Sequence, residues 1–174
     1  MPTITHVMTY TPDLLGNIMD DIEGQTAKDT VAQIINCFSA KGFPIKAQYI
    51  IRGESNSYYR VLCFAGKSKE TVNVNTKNAH GPDGVAIKIR IENQDTLDRL
   101  DEFTDNIRDQ ILNAIDCHYC GPNCEGKRYI FAYQDKEYVK CQYLGCNFRF
   151  SKINECDIPS ILDIVNSEFS QKKR

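Results

Sequence analysis

The sequence predicts an α+β protein: two N-terminal helices, a four-stranded antiparallel sheet, a long helix, then a C-terminal cysteine-bearing β-hairpin and a final helix. Three observations carry this expectation. Apolar residues recur at helical spacing before residue 40 and again after residue 95. Between those stretches they alternate in twos, the period of a half-buried strand. Six of the eight cysteines then fall between Cys117 and Cys156.

Thr11-Pro12 opens the first helix, Thr as the cap and Pro at a position that needs no donor. Leu14, Leu15, Ile18, Met19 and Ile22 share its apolar face, and Gly24 ends it. Thr26 and Asp29 restart a helix striped by Val31, Ile34, Ile35 and Phe38, which Gly42 and Pro44 stop. Ile45, Ala47, Tyr49 and Ile51 alternate with polar residues as a first strand. The turn formers at 53–56 lead to a second strand over Ser57–Phe64, and ETVNVNT at 70–76 reads as a weaker third. Val85, Ile87, Ile89 and Ile91 make the clearest strand, and short connections favour an antiparallel meander. Asp95 caps a long helix with Leu97, Leu100, Phe103, Ile107, Ile111 and Ile115 along one side. Its acidic stripe, Asp98 to Asp109, reads as an ordinary solvated face. Arg128–Gln134 and Glu137–Gln142 form a hairpin, Asn147–Phe150 adds a short strand, and Asp157 caps a last helix striped by Ile158, Ile161, Leu162, Val165 and Phe169.

The cysteines run Cys117-x2-Cys120-x3-Cys124-x16-Cys141-x4-Cys146-x9-Cys156. Two close-set groups about twenty residues apart are what a tetrahedral thiolate site needs, because each loop supplies two sulfurs and a hairpin brings the loops together. The segment Cys117-His118-Tyr119-Cys120-Gly121 resembles a zinc knuckle, and with Cys141–Cys146 the whole resembles a zinc ribbon. That resemblance covers about thirty residues, and the x4 spacing of the second group departs from the usual x2. The preferred donors are Cys117, Cys120, Cys141 and Cys146, with Cys124 the alternate to Cys117; Cys156 reads as packed or free. The expected organisation is an α+β core over 1–116 and a zinc-ribbon-like hairpin with closing helix over 117–174, packed on that core. Zinc there is structural: no His-x-Glu partner pattern for a catalytic zinc exists, although His118 sits between cysteines. An iron–sulfur cluster, a disulfide framework and metal-free thiols are the competing readings.

With 174 residues, 41 % apolar and 25 % charged, the chain has the composition of an ordinary globular domain. It has no bilayer-spanning apolar run and its start lacks the pattern of a secretory signal, so the expected location is the cytoplasm, where thiols stay reduced. The net charge of −2 argues against whole-surface nucleic-acid binding, but residues 117–152 carry a basic excess. Tyr119, Tyr129, Tyr133, Tyr138 and Tyr143 interleave there with Lys127, Arg128, Lys140 and Arg149. A second cluster, Tyr49, Tyr58, Tyr59, Arg52 and Arg60, suits a small aromatic or anionic ligand. No phosphate loop, nucleophile elbow or metalloprotease motif is present. The loop His80-Gly81-Pro82-Asp83-Gly84 reads as a turn, and no catalytic residue is assigned. The leading functional reading is a non-enzymatic, zinc-stabilised binding or regulatory protein acting on a protein or small-ligand partner. The alternatives are nucleic-acid binding through the basic aromatic hairpin, and a thiol-based redox enzyme or sensor.

Overall fold

Alternation along the strands sends their apolar side chains to one side, and that decides the architecture. A computed structural model describes residues 3–52, 56–65, 70–77, 84–117, 128–141 and 148–169. The elements run β1 (Thr3–Thr9), α1 (Pro12–Asp20), α2 (Gln25–Ala40), β2 (Ile45–Arg52), β3 (Asn56–Cys63), β4 (Val72–Asn75) and β5 (Ala86–Ile89). They continue with α3 (Gln94–Asp98), a 3-10 turn (Leu100–Glu102), α4 (Asp105–Leu112), β6 (Arg128–Tyr133), β7 (Lys136–Cys141), β8 (Phe148–Phe150), a second 3-10 turn (Glu155–Asp157) and α5 (Ile158–Ser167). The class is α+β. Strands β1 to β5 and β8 form a six-stranded antiparallel sheet in the order β1-β2-β3-β4-β5-β8, and β6 and β7 pair separately.

The expected element order is wrong in three places. The chain begins with a strand, not a helix: Thr3–Thr9 pairs with β2 along its whole length. Its β-branched residues fit a strand, but its residues are largely exposed on both faces, so no polar alternation marks it. The strand Phe148–Phe150 does not extend the hairpin. It crosses back to pair with β5, which makes the sheet six strands wide rather than four. The long helix is broken: α3 ends in a 3-10 turn, and Thr104, in extended backbone, starts α4 afresh. Nor does a metal-bearing ribbon emerge from the described residues, among which no group of three or more His, Cys, Asp or Glu is placed to hold an ion.

Register explains the core. Met8, Ala47, Val61, Val74, Ile87 and Phe150 lie in one row across all six strands, and Ile45, Cys63, Val72, Ile89 and Phe148 in the next. These rows meet the buried stripes of the helices: Ile18 from α1, Ile34, Ile35 and Phe38 from α2, Leu97 from α3, Ile107 and Ile111 from α4, and Ile161 and Val165 from α5. Burying each such side chain is worth about 1.5–3 kcal/mol. Tyr129 and Phe131 of the hairpin join the same cluster, so the C-terminal segment shares its core with the N-terminal one. The start of α1 is as the sequence implies, with the Thr11 hydroxyl accepting from the Leu14 amide at 3.3 Å. Gly24, at φ 85°, makes the turn between α1 and α2 in a region that other residues rarely adopt. Among the described residues no helix is long and apolar enough to cross a membrane.

The break before α4 has a tertiary cause. The Asp157 carboxylate, fully buried, accepts hydrogen bonds from the Thr104 hydroxyl, from Asn106 Nδ2 at 2.6 Å and from the Asn154 amide at 2.8 Å. The Thr104 amide donates to Ser160 Oγ at 3.1 Å. The first turn of α5 thus fixes where α4 begins. Burial alone would raise the Asp157 pKa, but the hydrogen bonds from Thr104, Asn106 and Asn154 outweigh it and hold the carboxyl below its ordinary range. A second carboxylate, Glu168, accepts from the amides of Glu92 at 2.8 Å and Asn93 at 3.2 Å, where the chain enters α3. Burial dominates there and pushes Glu168 up to about 7, against the lowering effect of those two amides.

Two outcomes follow. Asp157→Ala strands several buried donors and should cost about 3 kcal/mol in urea unfolding, with α4 and α5 losing amide protection together. The Glu168 carboxyl keeps its proton to about 7 when folded but ionises near 4.5 when unfolded. Between those values the folded state binds the extra proton, so this group's contribution to stability is lost as pH rises through the window. Unfolding of Glu168→Gln should show a weaker fall in stability between pH 5 and 8 than the parent chain.

Candidate functional site

The cysteine-bearing end is built around β7. The turn between β6 and β7, Gln134-Asp135, has φ of 48° and 61°, which suits the right-handed twist of a two-residue hairpin. On its other side β7 takes a third short partner. Asp116 bridges Lys140, the Cys117 amide donates to the Val139 carbonyl at 3.0 Å, and the Cys141 amide donates to the Ile115 carbonyl at 2.9 Å. In this antiparallel register Asp116 and Lys140 share one face, so Cys117 and Cys141 share the other, as a diagonal cross-strand pair. Cys117 is half-buried and Cys141 is buried. Two of the four preferred metal donors are therefore brought side by side by backbone pairing.

Cys120, Cys124 and Cys146 lie outside the described residues. The anchors of both segments meet at this end: Arg128 pairs with Cys141 across the hairpin, Cys117 flanks β7 on the other side, and the Phe148 ring lies 4.8 Å from Tyr129. Cys156 is an exposed free thiol in the 3-10 turn before α5. Cys63 is buried in the core, and burial pushes its thiol up to about 12, which removes it as a nucleophile.

The hairpin does not present its aromatic and basic residues to solvent in the way the sequence pattern allowed. Tyr129 and Phe131 are buried, and Tyr133 and Tyr138 pack partly buried against the core. Phe131 and Tyr138 stack with centroids 5.4 Å apart, and the Arg108 guanidinium of α4 covers Tyr133 at 5.7 Å. Lys140, only 4 % exposed, points inward with them, where its Nζ donates to Asp116 Oδ1 at 2.6 Å and to the Ala114 carbonyl at 2.9 Å. It is a structural cation that ties the end of α4 to the hairpin. Tyr119, Lys127 and Tyr143 lie outside the described residues, as does the His80 loop.

Register also splits the tyrosine–arginine cluster of the sheet. Tyr49 and Tyr59 are paired on the helix-covered face, rings 4.9 Å apart, with Tyr49 Oη donating to Ser57 Oγ at 2.8 Å. Tyr58, Arg52 and Arg60 lie on the opposite face, where the Arg52 guanidinium sits 5.7 Å above the Tyr58 ring. Arg60 donates through Nε to Asn75 Oδ1 at 3.1 Å and through its terminal nitrogen to Tyr58 Oη at 3.4 Å. Strand parity is the signal that separates the two groups: residues 50, 52, 58 and 60 fall on one side and 49 and 59 on the other.

Replacing Lys140 tests its structural role. Lys140→Ala removes the hydrogen bonds to the Ala114 carbonyl and to Asp116 Oδ1, and should lower unfolding stability by about 1–2 kcal/mol.

No protein-family model matches this chain, and no curated protein or solved structure is significantly similar to it.

Proposed function

We propose that the chain is a non-enzymatic binding protein of a reducing compartment, the cytoplasm, whose cysteine-bearing end is closed by a structural zinc ion. The donors are Cys117, Cys120, Cys141 and Cys146, with Cys124 the alternate to Cys117. One observation supports this reading: the register that bridges Asp116 to Lys140 puts Cys117 and Cys141 on the same face of two paired strand segments. Thiolates are the donors zinc prefers in structural sites, and four of them leave no open position for water, so the ion would brace the end and carry no reaction. The buried Cys141 and half-buried Cys117 suit such a site better than a redox pair, which needs an exposed, reactive thiolate.

Elemental mass spectrometry on untagged protein, beside a thiol count before and after chelation, tests the proposal. The expected result is one equivalent of zinc and four thiols that react only once a chelator is added. Cys141→Ser should lose the metal and melt earlier, whereas exchanging Cys117→Ser for Cys124→Ser identifies the fourth donor. Metal-free protein, with Cys117 and Cys141 labelling no faster in chelator than without it, would sink the site.

A further inference from the structure

One edge of the six-stranded sheet is guarded and the other is not. At the β8 edge the strand is three residues long, and the chain leaving it is tied to α4. There the Ser151 amide donates to Gln110 Oε1 at 2.8 Å, and Asn106 Nδ2 donates to the Lys152 carbonyl at 3.1 Å. A short strand held against a helix is an ordinary way of closing a sheet edge. The β1 edge has neither device. Thr3–Thr9 runs for seven residues and pairs with β2 on one side. Among the described residues nothing hydrogen-bonds to its outer side. The strand also holds no Lys, Arg, Asp, Glu or Pro, the residues that keep an edge from pairing. It exposes Val7 at 70 % and Ile4 at 51 %, one on each face of the sheet. Such an edge is a template for one further extended segment.

The segment that fits this template is β1 itself. About a twofold axis at His6, antiparallel pairing sets Thr3 opposite Thr9, Ile4 opposite Met8, Thr5 opposite Val7, and His6 opposite its own copy. This is the register in which all seven residues pair. Residues that meet have the same parity, so each side chain finds its neighbour on its own face of the sheet. Threonine meets threonine, and Ile4 meets Met8 as an apolar pair, combinations that stabilise neighbouring antiparallel strands. With no acid, lysine or arginine in the strand, no such charge is set against its like or left buried alone.

We propose that β1 is a homodimer interface, in which two copies of the chain pair edge to edge about His6 and their six-stranded sheets join into one of twelve. Every second residue pair exchanges two backbone hydrogen bonds, about six in all. The contact is isologous, and because the β8 edge is closed it ends at two copies instead of growing into a filament. A single strand edge is a small interface, so the dimer is expected to dissociate in the micromolar range. The interface contains no cysteine and does not rest on the zinc site proposed above.

Sedimentation velocity of the full-length protein from about 1 to about 200 μM, a range that brackets micromolar dissociation, tests the proposal. The expected result is a shift from monomer to dimer with no larger species. Val7→Lys puts an ammonium into the paired edge, and His6→Glu sets two carboxylates opposite each other at the axis. Each should weaken dimerisation about tenfold or more. The melting temperature of either variant at about 1 μM should match that of the parent, because both side chains are exposed in the single chain. Mixing the His6→Glu variant with a His6→Lys variant should restore the dimer, since opposite charges then meet at the axis. A chain still monomeric at the highest concentration overturns the proposal and leaves the edge to an extended segment of another protein. So does a dimer indifferent to both substitutions, a charge-swapped mixture that fails to pair, or assembly that continues past two copies.

Discussion

The structure depends on a single constraint: the sheet meets the main apolar core with one face. Once Ala47, Val61, Val74, Ile87 and Phe150 share a row, every helix must cover that row, because none has another apolar surface to meet. The hairpin obeys the same rule, turning Tyr129 and Phe131 toward the common core. The remaining face mixes lysines, arginines and amides with Ile50, Tyr58 and Ala86, which are themselves buried.

Within the covered layer, two buried carboxylates set positions that apolar packing alone leaves loose. Hydrophobic contact is non-directional, so it tolerates a helix sliding by a turn. Asp157 removes that freedom by gathering donors from Thr104, Asn106 and Asn154, which belong to separate parts of the chain. Glu168 performs a similar task where the chain leaves β5 for α3, but accepts only two amides. The two differ in how many donors they collect. That difference is why one carboxyl is held ionised and the other is pushed toward neutrality.

How much of this was legible in the sequence follows from the range of the interactions. The start of α1 was readable because its cap is three residues long, Thr11 to Leu14. Strands β2 to β5 were readable because their core-facing residues are mostly apolar and alternate with more polar ones. The edge strand β1 was missed because its residues are largely exposed on both faces, which erases the alternation. The break between α3 and α4 was hidden because it is imposed by Asp157 and Ser160, more than fifty residues downstream. Spacing alone singled out Cys117 and Cys141, but not that Lys140, one residue away, turns inward to meet Asp116. The tyrosine–arginine cluster was grouped by nearness in sequence, whereas parity assigns its members to opposite faces.

The late arrival of β8 has a consequence for how the chain is made. Strands β2 to β5 follow one another closely and can zip together as they emerge, but β5 must wait roughly sixty residues for its outer neighbour, Phe148 for Ile89. At translation speeds of about 5–20 residues per second, that leaves Ile87 and Ile89 on an unpaired edge for several seconds on the ribosome. The nascent protein is thus most exposed to misassociation along β5, on the strand that ends up among the most buried in the finished molecule.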